Sequence, residues 1–158
     1  MRKWFISIFV FLFSQIMWAG GLQVKIDFQP HYKAEGLFKD KIYTVFIVNF
    51  HNTGKKAVKV GETFTLTTDT GKKYLPHPAP WIRKDIRDKL GIKEKFVWIG
   101  NLKPGDTQTK IVVFQKIDPS AKTAYLNIFG LYPGYILQVE FKRSRDTWRE
   151  TGRKWMKK

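Results

Sequence analysis

The chain contains no cysteine. Disulfides, zinc–thiolate sites, cysteine nucleophiles and lipidation through a lipobox cysteine are therefore excluded together. Whatever this sequence folds into must be held by its hydrophobic core. Acidic residues are scarce as well: 13 Asp and Glu stand against 29 Lys and Arg, a net charge of +16. Such an excess directs the search for partners towards anionic surfaces and polymers. Beyond residue 20 serine is confined to Ser120 and Ser144, so a serine nucleophile is not expected. No Gly-x-Ser-x-Gly elbow, P-loop or Gly-x-Gly-x-x-Gly fingerprint occurs. Histidine is limited to His31, His51 and His77, each beside a proline or a turn, and no two are spaced to share a helical face. They read as solvated or locally bonded loop residues, with a metal site built in space alongside Asp27 or Asp40 as the alternative. No catalytic residue, metal or cofactor is expected.

What is present begins at the N-terminus. Arg2 and Lys3 precede the apolar run Trp4 to Phe13, broken only by Ser7. Polar Ser14 and Gln15 follow, and then the small residue Ala19. This is the layout of a secretory signal, so residues 1–19 are expected to be cleaved. Met17 is atypical two places before the cut, and cutting after Gly20 or Gly21 is an alternative. Trp4 to Leu22 also approaches the roughly 20 residues of a membrane-spanning helix, which makes an uncleaved anchor the competing reading. Ser14, Gln15, Gly20 and Gly21 dilute that run. Either way the body is expected outside the cytoplasm, periplasmic or secreted.

After residue 19 the patterning is mostly of period two. Leu22, Val24, Ile26 and Phe28 alternate with polar residues in a first strand that Pro30 is expected to end. Ile42 to Phe50 is apolar on both faces in places, as suits a central strand. Asn52-Thr53-Gly54-Lys55 and Asp69-Thr70-Gly71-Lys72 read as turns. Pro76, Pro78 and Pro80 interrupt the alternation, and Ile82, Ile86 and Leu90 then fall on a helical stripe. Phe96 to Ile99, Thr107 to Phe114, Thr123 to Phe129 and Tyr135 to Phe141 return to strand, with a Pro104-Gly105 turn between the first two. Roughly seven or eight short strands with turns between them argue for an all-β sandwich, with an open barrel as second choice. One short helix lies in an inserted loop. The expected division is a signal at 1–19, a sandwich at 20–141 and a basic C-terminal tail at 142–158.

Several segments carry a resemblance. Val48-Asn49-Phe50-His51-Asn52-Thr53-Gly54-Lys55-Lys56-Ala57-Val58 has a strand, Asn, short turn and aliphatic return. Phe64 to Tyr74, Leu102-Lys103-Pro104-Gly105-Asp106-Thr107, Ile111 to Phe114 and Ala124 to Ile128 follow in order. Over Leu22 to Ile128 the chain resembles the telokin-like, immunoglobulin-like domains of unknown function found in bacterial secreted proteins and lipoproteins. The resemblance implies an extracytoplasmic immunoglobulin-like β-sandwich without established enzymatic activity. This chain departs from the pattern by lacking a lipobox cysteine, by inserting Pro76 to Lys95 and by adding the basic tail.

Two surfaces are candidates for binding. In the tail, Arg145, Arg149 and Arg153 recur every four residues, which a helix would align on one face, with Trp148 and Trp155 on a neighbouring one. Glu150 precedes Lys154 at a favourable helical spacing. With Arg143, these residues suit an anionic interface, because guanidinium grips phosphate bidentately and indole sits at head-group level. The alternative is a frayed basic terminus whose tryptophans fold back on the sandwich. The second surface is a loop edge of Lys72, Lys73, Tyr74, Trp81, Arg83, Lys84 and Arg87, in which Trp81 could equally plug the loop from beneath.

Three functions remain. The first is a noncatalytic binding or accessory module that contacts an envelope protein or an anionic envelope polymer or lipid surface through its loops and cationic tail. The second is a structural subunit of an envelope assembly, and the third is a hydrolase or metal-handling protein whose site is invisible in sequence. Nucleic acid is physically available to so basic a surface, but export argues against it.

Overall fold

The computed structural model describes residues 21–34, 41–60, 63–77, 80–92 and 101–158. The expected signal at 1–19 and the expected strand Phe96 to Ile99 lie outside the described residues. The elements in chain order are β1 (Leu22–Lys33), β2 (Ile42–Asn52), β3 (Val58–Lys59), β4 (Thr63–Thr68), β5 (Lys73–Tyr74), α1 (Pro80–Leu90), β6 (Asn101–Leu102), β7 (Thr107–Gln115), β8 (Thr123–Phe129), β9 (Tyr135–Ser144) and β10 (Thr147–Lys157). Over the described residues the fold is all-β with one short helix.

Two antiparallel sheets face each other, one ordered β1-β2-β7 and the other β10-β9-β8-β4-β5, with β3 and β6 forming a small ladder. Side-chain alternation explains the layering. In β2, Phe46, Val48 and Phe50 point into the space between the sheets, where they meet Leu66, Leu126, Ile128, Val139 and Phe141. Tyr43, Val45 and Ile47 point the other way, onto a second cluster closed by Ile82 and Ile86 of α1. A strand buried on both faces needs apolar residues at consecutive positions, which is what the sequence has there. The helical stripe is buried only at Ile82 and Ile86, while Leu90 is exposed.

Two expectations need correction. The first strand does not end at Pro30. The β1–β2 register shifts between Gln29 and Tyr32, and β1 continues to Lys33. A proline is tolerated there because β1 is an edge strand and the bulge removes the need for its missing N–H. Thr44, buried in β2, steadies the bulge by donating to the Pro30 carbonyl at 3.3 Å, and its Oγ1 accepts from the Ile117 N–H at 2.9 Å.

The second correction concerns residues 142–158, which form neither a helix nor a separate tail. They complete β9 and make β10, the edge strand of the five-stranded sheet. Gly152 weakens a helix, whereas Thr147, Trp148, Thr151 and Trp155 favour a strand once β9 offers a hydrogen-bonding partner.

Contacts between the two edge strands fix the ends of the sandwich. Arg153 Nη1 donates to the Val24 carbonyl at 2.6 Å, and the Phe28 and Trp148 rings meet at 5.4 Å. β1 and β10 thus run in opposite directions, and Leu22 lies at the same end as Lys157. The turns after β2 and before β7 share that end. The 69–72 turn, the 116–122 loop and the β9–β10 hairpin lie at the other.

Candidate functional site

One group of cationic residues lies at the hairpin end. Ser144 and Thr147 are ladder partners, so Arg145 and Asp146 alone make the turn between β9 and β10. Arg145 has φ 58° and is the only non-glycine residue with positive φ among those described. Positive φ at the first central position and not at the second is the pattern of a type II′ turn, which ordinarily takes glycine there. An L-residue in this region costs on the order of 1 kcal/mol. Arg145→Gly is therefore expected to stabilise the fold by roughly 0.5–1 kcal/mol in denaturant unfolding while removing a charge from the tip. A destabilised variant would show that the arginine side chain makes up for the strain through contacts of its own.

From this tip the outer face of the sheet carries Lys142 and Arg149, which stand directly opposite each other in the β9–β10 ladder. Like charges at opposed positions destabilise a sheet. The Lys142 ammonium lies 3.7 Å from Glu140, and no carboxylate pairs with Arg149 among the described residues. Arg143 turns to the opposite face, where its Nη1 donates to the Pro119 carbonyl at 2.7 Å.

The 116–122 loop joins the two surfaces that the sequence kept apart. Lys72 Nζ donates to Asp118 Oδ2 at 2.9 Å, and the Asp118 N–H donates to the Tyr74 hydroxyl at 3.0 Å. Asp118 Oδ1 also accepts from the Ser120 N–H and hydroxyl. The Lys72 hydrogen bond first, then those from Ser120, hold the Asp118 carboxyl well below the usual carboxylate range. Its partner Lys72 is raised, mainly by the same bond. A depressed carboxylate contributes stability above its unfolded pKa of about 3.9 and loses it as pH falls further. Asp118→Asn retains an oxygen for Ser120 and loses the ion pair. Its deficit against the parent should be constant from pH 7 to about 5, shrink progressively below about 4, and vanish only once pH has fallen past the depressed folded pKa. A deficit that persists at low pH would locate the effect in packing instead.

The remaining predicted residues divide. Lys73 sits in β5 beside Thr67, at the hairpin end. Trp81 is partly buried against the helix-side cluster, which makes it mainly a plug. Arg83, Lys84 and Arg87 lie along α1, on the far side of the three-stranded sheet from the hairpin. They form no common surface with Arg145. The tail arginines also separate. The β9–β10 register slips between Glu150 and Gly152, so the parity of inward positions changes along β10. Trp148 and Trp155, seven apart, consequently share the inner face and pack against the core, although a regular strand would oppose them. Arg153 turns inward with them, where it pairs bidentately with Glu150 and reaches Val24. Glu150 therefore engages Arg153 and not Lys154. Lys154 remains exposed on the outer face.

His51 Nδ1 lies 2.8 Å from the Thr107 hydroxyl, and His77 meets Tyr43 edge-on at 5.6 Å. Among the described residues no group of three His, Asp or Glu is placed to hold a metal.

Sequence reasoning passed over the opposite end of the molecule. There Tyr132 and Tyr135 are 59% and 39% exposed, with ring centroids 5.5 Å apart, beside Trp155 and the exposed Met156. The string Leu131-Tyr132-Pro133-Gly134-Tyr135 drew no reading in the sequence; two aromatics flanking Pro-Gly were the available signal.

No family model matches the chain, and no curated protein matches it. Among solved structures the chain is similar to a conserved hypothetical protein from Bacillus anthracis, known from a 2.2 Å crystal structure. The two share 17% identity with a TM-score of 0.48, over 70% of this chain and 82% of that one.

Proposed function

We propose that the chain is a noncatalytic, extracytoplasmic module of immunoglobulin-like topology, whose hairpin end grips an anionic envelope polymer. The strand order supports the topology. With β1, β2 and β7 read as A, B and E, and β5, β4, β8 and β9 as C′, C, F and G, both sheets follow the immunoglobulin pattern, and β10 is an added edge. The signal-like residues 1–19 support export. No helix among the described residues is long and apolar enough to cross a membrane.

The observation that carries the ligand class is the opposed Lys142–Arg149 pair beneath the strained Arg145. Two exposed cations opposed in one ladder gain when a polyanion neutralises both, so their repulsion becomes affinity. Arginine adds bidentate contact to phosphate, sulfate or carboxylate.

The test titrates the protein with dextran sulfate and with neutral dextran at low and high salt. Binding to the sulfated polymer alone is expected, weakening with salt, and lowered at least tenfold by Lys142→Glu with Arg149→Glu. Indifference to the sulfated polymer would sink the polymer reading and leave an acidic protein as the partner to seek.

A further inference from the structure

We propose that the end of the sandwich opposite the hairpin, built from residues 131–135 and Met156 to Lys158, docks on an anionic lipid surface. This goes beyond the polymer-binding reading and uses the other end of the molecule.

The place where the chain enters the fold points there first. Because Arg153 meets Val24 and Trp148 meets Phe28, Gly21 emerges at the same end as Lys157. The Lys158 N–H closes this end by donating to the Gly134 carbonyl at 2.8 Å. The sequence immediately preceding Gly21 holds the apolar run Trp4 to Phe13. From Phe13 to Gly21 the chain can span no more than roughly 28 Å when fully extended. A bilayer holding that run, before or without cleavage, would have this end of the sandwich as its nearest surface.

The chemistry of the end agrees. Tyr132, Tyr135 and Met156 are exposed apolar side chains at this end of the sandwich, Met156 on the outer face of the sheet and Tyr135 on the other, and tyrosine combines an apolar ring with a polar tip suited to the bilayer interface. Trp155 lies beneath Tyr132, their rings 6.5 Å apart, and its buried Nε1–H finds no acceptor among the described residues. Charge complements the aromatics. Lys157 and Lys158 follow Met156, Lys55 and Lys56 lie in the turn after β2, and Lys103 lies in the turn before β7, which also carries Asp106. Each lysine near an anionic bilayer multiplies partitioning by about fivefold, an effect that salt screens.

Absence of cysteine permits a clean test, because one introduced cysteine is a unique label. The full chain is reconstituted with phosphatidylcholine vesicles and with vesicles containing phosphatidylglycerol. An environment-sensitive dye is placed at Met156→Cys or, at the hairpin end, at Asp146→Cys. The expected result is a blue shift at position 156 with the anionic vesicles only, no shift at 146, and loss of the shift in Lys157→Glu/Lys158→Glu. A shift at 146, a shift at 156 equal in both vesicles, or no shift at either site would overturn the proposal. Failure here leaves dextran sulfate binding by the hairpin end untouched, and failure there leaves the dye result untouched.

Discussion

Phe46→Ala should cost about 4 kcal/mol of folding free energy and lower Tm by about 12 °C. Phe46 is fully buried in β2. Its ring stacks on Phe28 at 4.4 Å with 2° between the planes, and meets Phe141 at 5.5 Å and Phe114 at 5.8 Å. These partners come from β1, β9 and β7, so one side chain joins three further strands and both sheets. Deleting a buried phenylalanine ring typically costs about 3–5 kcal/mol, and each aromatic pair adds roughly 0.5–1.5 kcal/mol beyond area burial. Without a disulfide, no covalent link between the sheets offsets that loss. Total stabilities of domains are on the order of 5–15 kcal/mol, so the variant should be poorly folded at physiological temperature. Phe46→Leu keeps most of the volume and should lose only about 1–1.5 kcal/mol. If denaturant unfolding gave the alanine variant a deficit under about 1.5 kcal/mol, the aromatic centre would not be what joins the sheets.

The residues that make Phe46 so costly to remove were also those that made the fold legible. Consecutive apolar residues from Val45 to Val48 require a strand covered on both faces, and a helix announces itself in Ile82 and Ile86, although the sequence alone sets it over one end of the sheets and not on the outer face of β2. Asn52-Thr53-Gly54-Lys55 and Lys103-Pro104-Gly105-Asp106 are turns by local chemistry, which needs no tertiary partner. The strand β10 was illegible for a physical reason. A spacing of four is a multiple of two as well as near one helical turn, so Arg145, Arg149 and Arg153 fit either period. Pairing with β9 decides between them, and a slip at Thr151 reverses the side on which Arg153 falls. Local sequence encodes neither.

The candidate site was legible only as two lists of basic residues. That Lys72 and Arg143 both engage the 116–122 loop is a consequence of antiparallel registers, and no spacing in the chain contains it. The same registers separate Arg83, Lys84 and Arg87 from that group. They also bring Tyr132 to the end where Gly21 emerges, although more than a hundred residues intervene.

Asn52 offers the second large effect, and one with a pH signature. Its side chain is fully buried at the end of β2. Nδ2 donates to the Lys56 carbonyl at 2.7 Å and to the Leu102 carbonyl at 2.9 Å, while Oδ1 accepts from the Gly54 N–H at 2.9 Å. Its backbone is joined to Asp106 and Gly105, so this residue fastens the two turns that bear Lys55, Lys56 and Lys103. Asn52→Ala strands one donor and two acceptors, at about 1–3 kcal/mol for each buried group that finds no water. Relaxation of the turns moderates the sum, and a loss of about 3 kcal/mol is expected in denaturant unfolding. Asn52→Asp keeps the shape but turns a double donor into a carboxylate facing two carbonyl oxygens. At pH 7 it should be at least as damaging as alanine, since a buried charge without a partner costs more than a missing hydrogen bond. Burial and the two carbonyls raise the carboxyl's folded pKa above its unfolded value of about 3.9, so the folded state binds the proton more tightly. The deficit of the aspartate variant should therefore shrink as pH falls from 7 towards 4, while that of the alanine variant stays level against the parent. Equal, pH-independent deficits would mean that the two turns open to water when Asn52 is replaced, and that the asparagine holds them through shape alone.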